Sequence, residues 1–302
     1  MSNVPTDFSH SVGSATSPAG RPKNEDAILV KPLPALASGD SDGFVLAVAD
    51  GMGGHEKGEV ASQLAISLLD DLFARDTPED IALALKQAYR RANEAIYKQS
   101  DAEENESRMG TTLVSAVVRG KYATIANVGD SRAYLIRARQ LTQITQDHSL
   151  VAEQVAKGVI SDAEARRSPQ RNIVTQALGL SAALDRRMPS IYEITLLPED
   201  RLLLCSDGFF DVLEADDYVS TVLERSPQDS VLTLTSMAID RGTTDNVSAI
   251  VIEVSPSRAT LQRERMGTEL AANAPRVNPM LIPIVLILVL LLAITAGVYF
   301  YL

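Results

Sequence analysis

The sequence predicts an α+β fold whose core is a packed pair of β-sheets covered by helices. Two observations carry this. Short apolar runs of strand length come in clusters, and two long amphipathic helices stand together between the clusters instead of alternating with single strands. Taken in order, "AILV" is the first clear strand and follows Glu25-Asp26, and "FVLAVA" is the second and runs into Asp50-Gly51. In "EVASQLAISLLDDLF", Val60, Leu64, Leu68 and Leu72 recur every four residues, with Ala61, Ala65 and Leu69 beside them. In "EDIALALKQAYRRANEAIYKQ", Ile81, Leu85, Ala88, Ala92 and Ile96 form one stripe. Both read as core-packing helices. The acidic stretch "SDAEENESRMG" reads as an exposed loop. "TTLVSAVVRG", "YATIANVGD" and "RAYLIR" follow with short gaps, which predicts an antiparallel meander. Residues 149–180 are polar and helical in pattern, broken at Pro169 and Gly179. Strands at "SIYEITLL" and "RLLLCS", a helix near 227–241 and a last strand "NVSAIVIEV" complete the pattern. No internal repeat is evident.

The chain of 302 residues is 45% hydrophobic, enough for one large core or two small ones. Its 39 acidic and 28 basic residues give a net charge of -11, which argues against nucleic acid as a partner. One cysteine, Cys205, sits inside an apolar run; it fits a reducing compartment and a buried role better than a nucleophile. The N-terminus has neither a basic start nor an apolar stretch, so it does not read as a signal peptide.

Residues 280–302, "MLIPIVLILVLLLAITAGVYFYL", carry no charge. A helix of that length covers about 30 Å, enough to span a bilayer. Tyr299 and Tyr301 suit the far interface. The preceding linker, 256–279, holds Arg258, Arg263, Arg265 and Arg276, which favours keeping that side in the cytoplasm. The expectation is a cytoplasmic domain on a single-pass tail in the cell membrane, without an outside-facing sensor domain.

The stretch "VADGMGGHEKGEVAS" packs Asp50, three glycines and His55 between a strand and a helix. A tight turn is the simplest reading, and a site for a charged ligand is the sharper one. The same pattern recurs. "RLLLCS" runs into Asp207-Gly208, "YATIANV" runs into Gly129-Asp130, Asp245-Asn246 precedes the last strand, and Glu25-Asp26 precedes "AILV". If these strand ends converge, the carboxylates repel unless a cation sits among them. No cysteine–histidine cluster with zinc spacing exists, so oxygen ligands point to Mg²⁺ or Mn²⁺. Structural Ca²⁺ is a competitor on ligand type, although no EF-hand loop is present. Arg21, in "RPKNED", offers a guanidinium fork for phosphate oxygens.

Together these residues resemble the PPM/PP2C family of metal-dependent protein serine/threonine phosphatases, in its bacterial form. "RPKNEDA", "VADGMGGHEKGEVAS", "GTTLVSAVV", "ANVGDSRAYLIR", "LTQITQDHSLV", "NIVTQALG", "LLLCSDGFFDVL" and "TDNVSAIVIEV" occur in family order across residues 21–254. The resemblance implies a PP2C-like four-layer α/β/β/α sandwich over residues 21–255, with 1–20 poorly matched to the family's first strand. It implies that Asp50 bridges two Mn²⁺ or Mg²⁺ ions, that Gly51 gives its carbonyl, and that Asp207 and Asp245 complete the ligand set. By the same resemblance, Glu25 and Asp26 should hold metal-bound waters and Arg21 should clamp the substrate phosphate. It also makes Asp130 a candidate ligand for a third, weaker ion, with Asp147 and Asp211 as rivals. The segment from Asp147 to Gly179 resembles a mobile flap. Met52 stands where many eukaryotic members have histidine, and whether His55 acts as general acid or only orders its loop stays open. The expected activity is hydrolysis of phosphoserine and phosphothreonine in proteins, with a serine/threonine kinase or its substrates as partners. The alternatives are a catalytically degenerate binding module and a phosphatase dedicated to one regulatory phosphoprotein.

Overall fold

The computed structural model describes residues 8–33, 43–53, 57–74, 77–101 and 108–256. His55, the linker and the apolar run 280–302 lie outside them. Among the described residues no helix is long and apolar enough to cross a membrane. The chain divides into two units, Met1–Ser257 and Arg258–Leu302.

The elements in order are β1 (Phe8–Ser17), β2 (Asp26–Leu33), β3 (Gly43–Met52), α1 (Lys57–Leu72), α2 (Ile81–Asp101), β4 (Gly110–Thr111), β5 (Leu113–Arg119), β6 (Tyr122–Val128), β7 (Arg132–Arg137), β8 (Gln140–Gln143), α3 (Leu150–Ala156), α4 (Asp162–Arg167), β9 (Ser190–Thr195), β10 (Arg201–Cys205), α5 (Asp207–Phe210), α6 (Ala215–Glu224), α7 (Pro227–Asp240) and β11 (Val247–Pro256). One sheet runs β1-β11-β10-β7-β8 and the other β2-β3-β5-β6-β9, with β4 attached to β3. All pairings within both sheets are antiparallel.

Three apolar layers hold this together. Val48, Val114, Ile125, Leu135, Leu204 and Ile250 fill the space between the sheets. Val45, Leu69, Leu85, Ile96 and Val117 lie between the second sheet and α1 and α2. Ile136, Leu203, Phe209, Leu234 and Val251 lie between the first sheet and the later helices. The result is the four-layer α/β/β/α arrangement. Central strands are apolar on both faces because both faces are covered, so "RLLLC" and "VSAIVIEV" read as continuous runs rather than alternating ones. Cys205 is fully buried in the third layer, where burial pushes its thiol up to about 12 and leaves it unreactive.

The predicted meander is corrected by the structure. β5 and β6 pair, but β7 belongs to the other sheet, beside β10 and β8. The crossing is made at Gly129-Asp130-Ser131. Gly129 has φ +107, and a Cβ there would lie 2.5 Å from Cβ of Thr112, so only glycine lets the chain turn so close to β5. The first strand is corrected too. It is Phe8–Ser17, upstream of residue 21, and it pairs along its length with β11. Its polar sequence fits an edge position. The Gln228 side chain covers part of that edge, accepting from Ser14 N and donating to Ser14 O, each at 3.2 Å.

Tyr89 ties α2 to the second sheet. Its buried hydroxyl donates to Ala126 O at 2.8 Å, stands 3.2 Å from Leu113 O, and accepts from Ser115 Oγ at 2.9 Å. Tyr89→Phe removes a buried polar partner at small change in volume. We expect a loss of about 1–2 kcal/mol in urea unfolding. Unchanged stability would show that the network contributes nothing.

Candidate metal centre

Antiparallel register brings the acidic strand ends to one edge of the sandwich. In the β2–β3 pair, Asp26 is directly opposite Asp50. Opposed residues of such a pair have Cβ atoms about 5 Å apart, so two carboxylates here repel. From the facing sheet, Asp207 follows β10 and Asp245 precedes β11, which pair so that these ends coincide. Asp130 follows β6, whose direction matches that of β3.

Backbone contacts fix Asp50. Its N–H donates to Thr112 Oγ1 at 3.1 Å, and its carbonyl accepts from Thr112 N and Thr111 Oγ1, both at 2.9 Å. Gly51 sits against the start of α1: a Cβ there would lie 2.1 Å from Gly58 O and 2.5 Å from Glu25 O. Its N–H donates to Glu25 O at 3.2 Å, and Ser62 Oγ reaches the same carbonyl at 2.6 Å. Close approach of backbone to backbone thus requires glycine at 51, and Gly53, at φ +152, adopts a conformation that favours glycine.

Asp26 is held from the opposite sheet. Ser206 Oγ donates to its Oδ2 at 2.8 Å. Asn246 plays a parallel role for the preceding loop, accepting from Glu25 N at 2.8 Å and donating to Lys23 O at 2.9 Å and Pro18 O at 3.1 Å. Sequence reasoning missed both as site residues. Each is a polar residue beside an aspartate where an apolar strand ends or begins.

Burial is the leading electrostatic cause throughout. It raises the Asp50 carboxyl well above the ordinary range, helped by the charges of Asp26, Asp207, Asp130 and Asp245. Asp207 is raised likewise, by burial and then by Asp130, Asp245, Asp211 and Asp26. Asp130 is pushed up to about 7 by burial and then by Asp147. Asp26 is raised to about 6, burial outweighing the hydroxyls of Ser248 and Ser206. Glu25 is raised by burial against the pull of Arg21.

Arg21 lies at the rim with a side chain 43% exposed. Its Nη2 donates to Asp245 Oδ2 at 2.6 Å, Nε donates to Thr244 O at 3.3 Å, and Nη1 stands 3.8 Å from Glu25 Oε2. Of the rival acids, Asp147 is taken up by Arg132, which donates to it from Nε and Nη2 at 2.6–3.0 Å. Asp211 stands 3.6 Å from Arg171 Nε. Among the described residues, Asp130 is the acid of the three with no cation on it in an ion pair.

Asp26 Oδ1 and Asp207 Oδ1 are buried with no hydrogen-bond partner. Two orphaned carboxylate oxygens among mutually repelling acids are the donor chemistry of a hard-cation site. Among the described residues, no three histidine, cysteine, aspartate or glutamate side chains close into a cage around one point. The two unpaired oxygens fit a hard, Mg²⁺-like cation whose remaining shell is backbone carbonyl and water.

Fold and site define a two-sheet domain with a cluster of buried carboxylates at one end. The family model for protein phosphatase 2C matches residues 20–236. The serine/threonine phosphatase stp of Listeria welshimeri is 35% identical over 216 residues, covering 69% of this chain and 84% of that protein. The crystal structure of the serine/threonine phosphatase Stp1 from Staphylococcus aureus matches with a TM-score of 0.74 and 32% identity, over 84% of this chain and 98% of that one. The catalytic domain of the serine/threonine protein phosphatase PstP in complex with two manganese ions matches with a TM-score of 0.69 and 32% identity, over 82% of this chain and 99% of that one. The chain belongs to the protein phosphatase 2C family, in its bacterial form, and is a metal-dependent protein phosphatase.

A pH dependence follows from the raised carboxyls. The fold keeps protons on Asp26 and Asp130 that the unfolded chain releases near the ordinary aspartate value of about 3.9. The metal-free protein therefore loses stability as pH rises from about 4 to about 7. Divalent cations bind the ionised form and offset that loss. The melting temperature in chelator should fall across this window, and the gain on adding Mn²⁺ should widen with pH. A gain that narrows with rising pH contradicts this electrostatic picture.

Proposed function

We propose that the protein hydrolyses phosphoserine and phosphothreonine in proteins, with Mn²⁺ or Mg²⁺ at the centre. The observation that carries this reading is the convergence of Asp50, Asp26, Asp207 and Asp245, with two buried oxygens unpaired and an arginine at the rim. Asp50 and Asp207 would hold the ions, with the Gly51 carbonyl and Asp245. Bound there, two such ions supply positive charge for phosphoryl oxygens and lower the pKa of water. Glu25 and Asp26 orient water from beside the strand ends, Asp26 with its free Oδ1. Arg21 keeps Nη2 on Asp245, while the looser Nη1 is available to a phosphoryl oxygen. Arg21 would then draw the phosphoryl oxygens of the ester to the rim beside the carboxylate cluster. Cys205 takes no part.

Asp130 is our choice for a third, weaker ion, because Asp147 and Asp211 each face an arginine. His55 is proposed as the proton donor to the leaving alkoxide, on its sequence position beside the centre. We further propose that the uncharged run 280–302 anchors the domain to the cell membrane from the cytoplasmic side, on the arginines that precede it. Phosphoproteins, including a serine/threonine kinase or its substrates, are then the expected partners.

The test is Mn²⁺-dependent hydrolysis of p-nitrophenyl phosphate and of phosphothreonine peptides, with Asp207→Asn beside the parent. Loss of a metal ligand should lower kcat by about 10²-fold or more in a folded variant. Arg21→Ala should raise KM for the peptides by about tenfold, as one charged hydrogen-bond partner of phosphate is removed. Equal activity of Asp207→Asn and parent would sink the proposed centre.

A further inference from the structure

Arg132 is the first residue of β7, and its side chain is 22% exposed. Its Nε donates to both oxygens of Asp147 at 3.0 Å, and its Nη2 donates to Oδ2 at 2.6 Å. Nη1 donates to the Tyr134 hydroxyl at 2.8 Å. Its guanidinium lies over the Phe210 ring, 3.5 Å from the centroid. Gln143 adds a further bond to Asp147 Oδ1 at 2.8 Å. A single cation therefore fastens three separate pieces of chain.

Two of those pieces matter to the centre. Phe210 is the last residue of α5, and Asp207 is its first. A helix of one turn has almost no stability of its own, and the Ser206 side chain makes no capping bond to it. Its inner side is held by buried Phe209 and by Thr243 Oγ1, which donates to Gly208 O at 3.1 Å; its outer side rests on what Phe210 touches. Asp147 lies at the root of the segment that crosses beside the site. The next residue, His148, donates its N–H to Gly129 O and accepts from Gly129 N at Nδ1, both at 3.0 Å. The return of that segment meets the other end of α5, through Arg171 and Asp211.

We propose that Arg132 is a positioning residue for the metal centre: by stacking on Phe210 while it grips Asp147, it fixes the one-turn helix that presents Asp207. This rests on the reading of Asp207 as a metal ligand. The planar guanidinium serves both contacts at once, its face on the ring and its edge on the carboxylate, which lysine cannot do. The same grip commits the oxygens of Asp147 to protein donors and leaves Asp130 as the acid that faces the cluster.

The experiment measures Mn²⁺ affinity by calorimetry on metal-stripped full chain in detergent, together with melting temperature. The variants are Arg132→Lys, Asp147→Asn and the double Arg132→Met/Asp147→Asn. The double variant removes both charges together and so leaves no buried charge unpaired. Residues that orient ligands typically cost about 10–100-fold in metal affinity when changed. Arg132→Lys and Asp147→Asn should each weaken Mn²⁺ by about tenfold, and the double should be no worse than either, since all act through one contact. Saturating Mn²⁺ should restore most of kcat. Parent-like Mn²⁺ affinity in Arg132→Lys overturns the proposal, whatever its melting temperature, because the role is then only structural. Weakened binding in Asp147→Asn with unchanged or tighter binding in Arg132→Lys also overturns it, by making Asp147 a ligand. A parent that binds no Mn²⁺ refutes the metal centre itself, a different result.

Discussion

Two aspartates face each other across a pair of strands, and the rest of the site is organised around that conflict. Asp26 and Asp50 are register partners in the β2–β3 ladder. Like charges in that position destabilise a sheet, and burial makes the repulsion worse. The chain meets this with fixed donors rather than with distance. Thr111 and Thr112 clamp the Asp50 backbone, and Ser206 reaches across from the other sheet to Asp26. What the protein donors leave unmet, one oxygen each on Asp26 and Asp207, is what a divalent cation with its water can satisfy.

The sandwich makes this arrangement possible because its core is elsewhere. Three apolar layers carry the folding free energy, so the strand ends are free to hold acids that cost stability. Both sheets contribute to one end: β2, β3 and β6 from one side, β10, β11 and the start of β7 from the other. Polar residues stitch the sheets together at that end, as His10 on Gly120 O and Arg137 on Thr195 O do at the other. Ser206 joins them through Asp26, and Asn246 joins the β11 start to the Glu25 loop. Glycines 51 and 58 let α1 approach until backbone meets backbone.

Much of this was legible in the residues. Asp50 and Asp207 stood out because each ends an apolar run in Asp-Gly, and Asp245 because it precedes another; repeated on several strands, acids at strand ends are more than turn chemistry. The two helices were legible from their stripes. The strand Phe8–Ser17 was not, because an edge strand half exposed to solvent has no need of apolar alternation. The meander was misread at Gly129, where spacing alone gives no sign that β7 leaves for the facing sheet. Ser206 and Asn246 escaped notice because a single hydroxyl or amide beside an aspartate has no pattern; only the contact across sheets gives it meaning. That Asp147 and Asp211 each face an arginine, and Asp130 none among the described residues, has no signal in the spacing of the three acids.

If shared divalent cations reconcile the opposed carboxylates at one end of the sandwich, anomalous diffraction from crystals grown with Mn²⁺ will locate them. Two strong manganese peaks are expected beside Asp50, one reached by Asp207. Manganese absent from this end of the sandwich, with Asp26 and Asp50 satisfied by protein donors alone, would contradict that expectation.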